Sequence, residues 1–387
     1  MRAMKNVLFI GSVLSLAACG GNEMQAFDAA GVAPLHQAAP GLGIDGQYIV
    51  VLKDGATADA VTKLLGVTPN HVYQSALNGF AANLNGQQLQ ALRANPSVDY
   101  VEEDQVVQSD ATQSGATWGL DRIDQSSSTL NGTYIYTSTG AKVHAYIIDT
   151  GIRTDHTQFG GRAVSFYDAF GGNGQDCNGH GTHVAGTVGG SLHGVAKGVR
   201  LYGVRVLDCN GSGSNTGVIA GIDKVRTGHT KPAVANMSLG GGYSAATNTA
   251  VTNLANAGVF VAVAAGNDNG DACNKSPASA PVVTTVGATT NTTARASYSN
   301  YGTCVDIYAP GSAITSAWHT STSATNSISG TSMASPHVAG VAALYKDTYG
   351  DASQSTIDTW LKNNATLNVV SGNVGSTPNR LLNKKSL

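Results

Sequence analysis

Four side chains in this sequence have the types that acyl transfer needs: Asp149, His180, Asn267 and Ser332. A serine hydroxyl is a weak nucleophile at its free pKa and needs a base beside it. A histidine can take that proton near neutral pH, and a carboxylate can fix the imidazole tautomer and stabilise its charged form. An amide can donate a hydrogen bond to a developing oxyanion. Each of the four stands where an element starts or stops. Asp149 ends the apolar run KVHAYIID (142–149), where a carboxylate is costly to desolvate unless partnered, although a turn-forming Asp would also account for it. His180 opens a helical stretch in DCNGHGTHVAGT (176–187). Asn267 follows VAVAAG (261–266), placed either to cap a helix or to donate to an oxyanion. Ser332 lies in SGTSMASPHVAG (329–340), ahead of a helical stripe of Val338, Val341, Ala342 and Leu344. Pro336 then falls in about the first turn, where a missing N–H costs little, and Ser332 sits under the positive end of the helix dipole.

Other chemistries fit these residues less well. His180 and His183 are three apart, but HGTH lacks the glutamate of an HExxH zinc site and a third ligand nearby. GTSMA misses the last glycine of a GxSxG elbow, and His337 follows Ser332 too closely for a lipase order.

The elements that must position the four residues read as a doubly wound α/β domain. Nearly continuous apolar runs (142–149, 199–208, 232–240, 258–267, 282–288 and 305–311) suit strands buried on both faces of a mostly parallel sheet. Between them lie helical stretches at 182–190, 215–226 and 246–258. Ligands of such folds meet the carboxyl ends of the strands. Upstream, 47–53, 58–66, 78–84, 86–98 and 99–110 read as strand, helix, strand, helix and extended chain, a small α+β unit with little core.

Composition agrees with two units. Of 387 residues 42% are hydrophobic and 12% charged, with 48 glycines and net charge −2, which gives no basic block for nucleic acid. Residues 111–387 contain no Glu and carry 17 Lys and Arg against 14 Asp, whereas 44–110 hold eight acidic and three basic groups. Segments of opposite sign can bind one another.

The first residues, MRAMKNVLFIGSVLSLAAC, have Arg2 and Lys5 before an apolar run too short to span a bilayer, which fits an export signal over 1–19. Leu16-Ala17-Ala18-Cys19-Gly20 resembles a bacterial lipoprotein box, with lipidation at Cys19; an ordinary signal cleaved nearby is the alternative. Residues 20–43 read as a flexible tether. In an oxidising compartment Cys177, Cys209, Cys273 and Cys304 would pair, and spacing alone leaves three pairings open.

The motifs DTGI, HGTHVAGT, NMSLGG, AAGN and GTSMASPHVAG, in the order Asp149, His180, Ser332, resemble those of subtilisin-like serine proteases. ATQSGATWGLDRIDQ (111–125) is similar to the mature start of the proteinase K branch, and the four body cysteines match its aqualysin-type members. The resemblance covers 111–387 as protease domain and 44–110 as an inhibitor-type propeptide. It implies a secreted endopeptidase of broad specificity, with a catalytically inactive binding protein or an esterase of the same fold as the rival readings.

The resemblance also implies the pairs Cys177–Cys209 and Cys273–Cys304, each closing a loop of about 30 residues and worth roughly 3–4 kcal/mol. Polypeptide substrates would bind as an added strand on Gly211-Ser212-Gly213 and Ser238-Leu239-Gly240, with Ala264-Ala265-Gly266 completing the P1 pocket. These residues are uncharged, which implies apolar or aromatic P1. Calcium would be held by the Pro281 and Val283 carbonyls with the Asp306 carboxylate, and at a second site by Asp121, Asp124 and Gln125, where later ligands fall on Asn131 and Thr133. The propeptide would act as intramolecular inhibitor of a monomer, its tail in the cleft and cut near Asp110–Ala111. If Cys19 is lipidated, cleavage frees the protease from a transient membrane anchor.

Overall fold

The run HAYIID is apolar on both faces, and a strand of that kind is stable only between two layers. In the computed structural model, which describes residues 32–38, 43–105 and 111–387, it forms β1 (His144–Asp149) of a large sheet. The sheet continues with β2 (Ala163–Asp168), β3 (Arg200–Arg205), β4 (Ala233–Met237), β5 (Val259–Ala264), β6 (Thr284–Thr289) and β7 (Ile307–Pro310). Their spatial order is β2-β3-β1-β4-β5-β6-β7, every neighbour parallel. Arg380–Leu381 adds a parallel pairing beyond β7, and Thr366–Leu367 closes that edge antiparallel. From β1 the chain goes to the edge strand β2, returns to fill the gap with β3, then resumes at β4 on the other side of β1. The order therefore reverses at β1, and the crevice outside the carboxyl ends there is where such sheets take ligands. Asp149 is the last residue of β1.

Among the described residues, five helices of ten or more residues flank the sheet: α1 (His180–Gly189), α2 (Asn215–Gly228), α3 (Ala245–Asn256), α4 (Thr331–Tyr349) and α5 (Gln354–Asn364). The two-residue period of β1 sends Ala145 and Ile147 into a core with Val184 of α1, Val338 of α4 and Ile357 of α5. Tyr146 and Ile148 face the opposite core, with Val218 and Ile222 of α2 and Leu254 of α3. Helix α4 packs tightly: a Cβ on Gly340 would lie 2.5 Å from Val195 Cβ. Pro336 is the sixth residue of α4, a turn later than its sequence position suggests. Lacking an N–H, it leaves the Ser332 carbonyl without its i+4 partner. The Ser238 hydroxyl donates to that carbonyl instead, at 2.7 Å.

The smaller unit has its own core of Val50, Val61, Phe80, Leu92 and Val101. Its sheet runs Leu35–His36, Val98–Gln105, Gly43–Leu52, Gly79–Asn83, Pro69–Tyr73, with helices Ala58–Leu65 and Gly86–Arg93. Thr57 caps the first helix, and a reciprocal Asn85–Gln88 capping box starts the second. The tether expectation for 20–43 needs correction at its end. Leu35 and His36 pair in parallel with Val101 and Glu102, and Ala33 is buried, because the exposed edge of Val98–Gln105 offers unpaired backbone there. Disulfides join Cys177 to Cys209 and Cys273 to Cys304. No helix among the described residues is long and apolar enough to cross a membrane. Cys19 lies outside the described residues.

Candidate active site

Three of the four chemical residues sit beside the β1 switch point. The His180 Nδ1 and Asp149 Oδ1 atoms are 2.7 Å apart, and Asp149 is wholly buried. Asp149 Oδ1 also accepts the Thr150 N–H at 2.7 Å. A carboxylate on Nδ1 leaves Nε2 as the basic nitrogen. Ser332, the second residue of α4, donates its hydroxyl to the Ser238 carbonyl at 3.2 Å. Ser332 and His180 line the same cleft of about 560 Å³.

His180 is held by a carboxylate that the sequence reading missed. Asp176 Oδ1 accepts from the N–H groups of Asn178 and Gly179 and from the Thr150 hydroxyl, each at 2.9 Å. Its Oδ2 accepts from the Thr182 N–H at 2.9 Å and from the Thr182 hydroxyl. Thr150 Oγ1 in turn takes the Gly181 N–H at 2.8 Å. Asp176 thus satisfies the Gly179 and Thr182 donors, Thr150 takes Gly181 and Asn178 Oδ1 takes the His180 N–H at 3.2 Å, which together tie the start of α1 to the end of β1. Gly179, at φ +111°, is required there, since a Cβ would lie 2.5 Å from both Trp318 and His319. Burial alone would pull the His180 imidazole down, but Asp149 and then Asp176 outweigh it and raise its pKa above the usual 6.5.

Asn267 fulfils the first of its two expected roles and stays free for the second. Its Oδ1 accepts the Thr331 N–H at 2.8 Å and the Thr331 hydroxyl at 3.0 Å, capping α4. The amide orientation is thereby fixed, with Nδ2 3.5 Å from where a Gly330 Cβ would stand. Asn267 and Ser332 line a second pocket, of about 250 Å³, which adjoins the first.

The expected substrate residues border these two hollows. Gly211, Ser212, Gly213, Ser238, Leu239 and Gly240 line the larger; Ala264, Ala265 and Gly266 line the smaller. Ser212 is not a free backbone edge, because Asp208 holds both its N–H at 3.0 Å and its carbonyl at 2.8 Å. The smaller pocket is also not uncharged: Asp268 and Lys275 line it and form an ion pair at 2.7 Å. His183 is a core residue, its Nε2 on the Ile314 carbonyl at 2.8 Å, and burial pushes it down to about 4.

The two expected calcium sites differ in how their donors are used. Asp306 Oδ2 accepts the Thr285 N–H at 2.8 Å, and Oδ1 accepts from the Lys362 ammonium at 2.8 Å. With both oxygens taken and a cation already against the carboxylate, Pro281, Val283 and Asp306 do not fit a calcium ion as they stand. At the other site Asp121 accepts the Asn131 and Gly132 N–H groups, and Asp124 Oδ2 accepts from Ile135 at 2.8 Å. Asp124 Oδ1 is buried with no partner, and burial pushes this carboxyl's pKa up. The Gln125 Nε2 donates to the Ser127 and Thr129 carbonyls, so its amide oxygen faces the other way. Asp121 is saturated by its two N–H groups, so the donors open to an oxygen-seeking cation are Asp124 Oδ1 and the Gln125 amide oxygen, with the Lys384 charge acting on Asp124. Among the described residues, no cluster of three or more His, Cys, Asp or Glu side chains is grouped to hold a metal.

Comparison with known proteins follows the same division. The Subtilase family model matches residues 140–382, and the Peptidase inhibitor I9 model matches 47–110. The chain is 52% identical to an "Extracellular serine proteinase" of Thermus sp. (strain Rt41A), over 96% of each. It is 50% identical to "Alkaline serine exoprotease A" of Vibrio alginolyticus, over 84% of this chain and 62% of that protein. A solved structure of a cold adapted subtilisin-like serine proteinase superposes with TM-score 0.68 at 52% identity, covering 70% of this chain and 99% of the other.

Proposed function

Because the chain belongs to the subtilase family and is a serine proteinase with an I9 inhibitor segment, we propose that Asp149, His180 and Ser332 form its catalytic triad. The Asp149–His180 contact of 2.7 Å, in a cleft that also holds Ser332, carries this reading. Ser332 Oγ attacks the peptide carbonyl while His180 Nε2 takes its proton. Asp149 holds the imidazole and stabilises its charged form. The Asn267 amide and the Ser332 N–H receive the oxyanion. His180 then protonates the leaving amine, and water, activated by His180, hydrolyses the acyl-enzyme. Polypeptides lie along Gly213, next to the Ser212 backbone that Asp208 already holds, and along 238–240, with P1 in the pocket past β5.

The segment 44–110 is the inhibitor of its own protease, and the enzyme is exported and matures by cutting near Asp110–Ala111. Asp110 lies outside the described residues. Calcium, where bound, is held at the corner of Asp121, Asp124 and Gln125, with Asp124 Oδ1 and the Gln125 amide oxygen as the open donors. Cys19 is the lipid attachment point of the precursor.

Intact mass and N-terminal sequencing of wild type beside Ser332→Ala test the proposal. Wild type starting near Ala111, with the variant uncut and membrane-held, is the expected result. Both proteins cut alike would assign processing to another protease and remove this support for Ser332; both partitioning alike would remove the anchor.

A further inference from the structure

Helix α5 places Asp358 and Lys362 one turn apart, acid first, the favourable order for an i,i+4 pair. The Lys362 ammonium is 2.6 Å from Asp358 Oδ2 and 2.8 Å from Asp306 Oδ1, and its side chain is only 26% exposed. The remaining carboxylate oxygens are also engaged: Asp358 Oδ1 accepts the Thr284 hydroxyl at 2.8 Å, and Asp306 Oδ2 accepts the Thr285 N–H at 2.8 Å. The helix itself is anchored, since Gln354 at its start accepts the Val261 N–H at 2.6 Å and donates to Thr284 Oγ1 at 3.1 Å. Lys362 is thus aimed at Asp306 by a helix bonded to β5 and β6, and its ammonium makes a bond to each of two carboxylates.

We infer that Lys362 is the resident cation of this corner, replacing the calcium ion that the Pro281, Val283 and Asp306 pattern implies. A divalent cation on Asp306 would meet a like charge at hydrogen-bond range of its own ligand. Its binding would require Lys362 to swing out and would leave Asp358 without its ammonium, so the corner is closed to calcium by a covalently attached competitor at very high effective concentration. Burial works against the Lys362 charge, but the bonds from Asp306 and Asp358 outweigh it and raise this lysine's pKa. Burial pushes the Asp306 carboxyl up, and the ammonium acts against that. Thr284 and Thr285, the start of β6, are thereby held by an ion-paired cluster whose strength does not depend on free calcium.

The test titrates calcium into metal-stripped enzyme blocked with a covalent serine reagent, counting bound ions by calorimetry. Asp306→Asn should leave the count unchanged. Lys362→Met should add one bound ion and make Tm rise with calcium more than in wild type, and adding Asp306→Asn should erase both gains. Loss of one ion from the Asp306→Asn single variant, or no gain in Lys362→Met, would overturn the inference. A readout on unmodified protein guards against misfolded variants: hydrogen exchange at 281–285 and 304–308 should be the same with and without calcium. Calcium-induced protection there would overturn it as well.

Discussion

Two corners of the large domain pair a base with carboxylates, and they are completed differently. At Asp306, Lys362 and Asp358 every carboxylate oxygen has a donor, and the ammonium is bonded to both carboxylates. At Asp149 and His180 only Oδ1 and Nδ1 are engaged, Oδ1 also holding the Thr150 N–H, and the remaining atoms are kept back: Asp149 Oδ2 is buried without a partner, and no protein group is bonded to His180 Nε2 among the described residues. A saturated cluster can only hold segments together. A cluster with an unspent basic nitrogen, in a cleft it shares with a serine hydroxyl, can move a proton.

The largest effects should come from the unspent corner. Asp149→Asn should lower kcat by about 10⁴, the loss established for this substitution in another serine protease, with little change in Tm. Lys362→Met should do the reverse, shifting Tm while peptide turnover stays within about twofold. A large turnover loss in Lys362→Met would erase the contrast. Asn267→Ala should cost about 10²–10³ in kcat, the range known for the oxyanion donor of subtilisin itself. Its KM should stay near that of wild type.

The pH profile sharpens the comparison further. His180 must be neutral to act as base, and its raised pKa places the acid limb of kcat/KM above pH 6.5. The charged and titratable groups facing it are Asp149 from β1, Asp176 from the preceding loop and His183 on its own helix. Removing the Asp176 charge with Asp176→Asn therefore moves that limb to lower pH. A merely structural loss would lower the plateau without moving the limb. The smallest effect concerns P1: Asp268 is 61% exposed, and its pairing with Lys275 is worth at most about 1 kcal/mol. Asp268→Asn should raise kcat/KM for P1 Glu relative to P1 Phe by about threefold, the scale of such a pair.

The site residues were legible because each ends or begins a strongly patterned run, as Asp149 does after HAYIID and Ser332 before VAGVAAL. Weakly patterned elements were not. Pro69–Tyr73 and Ala163–Asp168 are edge strands with exposed side chains, so neither shows the apolar continuity of an inner strand. Asp176 and Lys362 were hidden for another reason. Their partners, Thr150 and Thr182 for one and Asp306 for the other, meet them only through the fold, and Lys362 with Asp358 reads in sequence as an ordinary surface helix pair.

The most direct test of the account is the site of covalent labelling by a serine-directed fluorophosphonate, mapped by peptide mass spectrometry on the mature enzyme. One label per molecule, on Ser332, lost in parallel with peptidase activity and in Asp149→Asn slowed as much as turnover, is the predicted result. Full peptidase activity with Ser332 unlabelled, or a label on another serine that accounts for the inactivation, would contradict it.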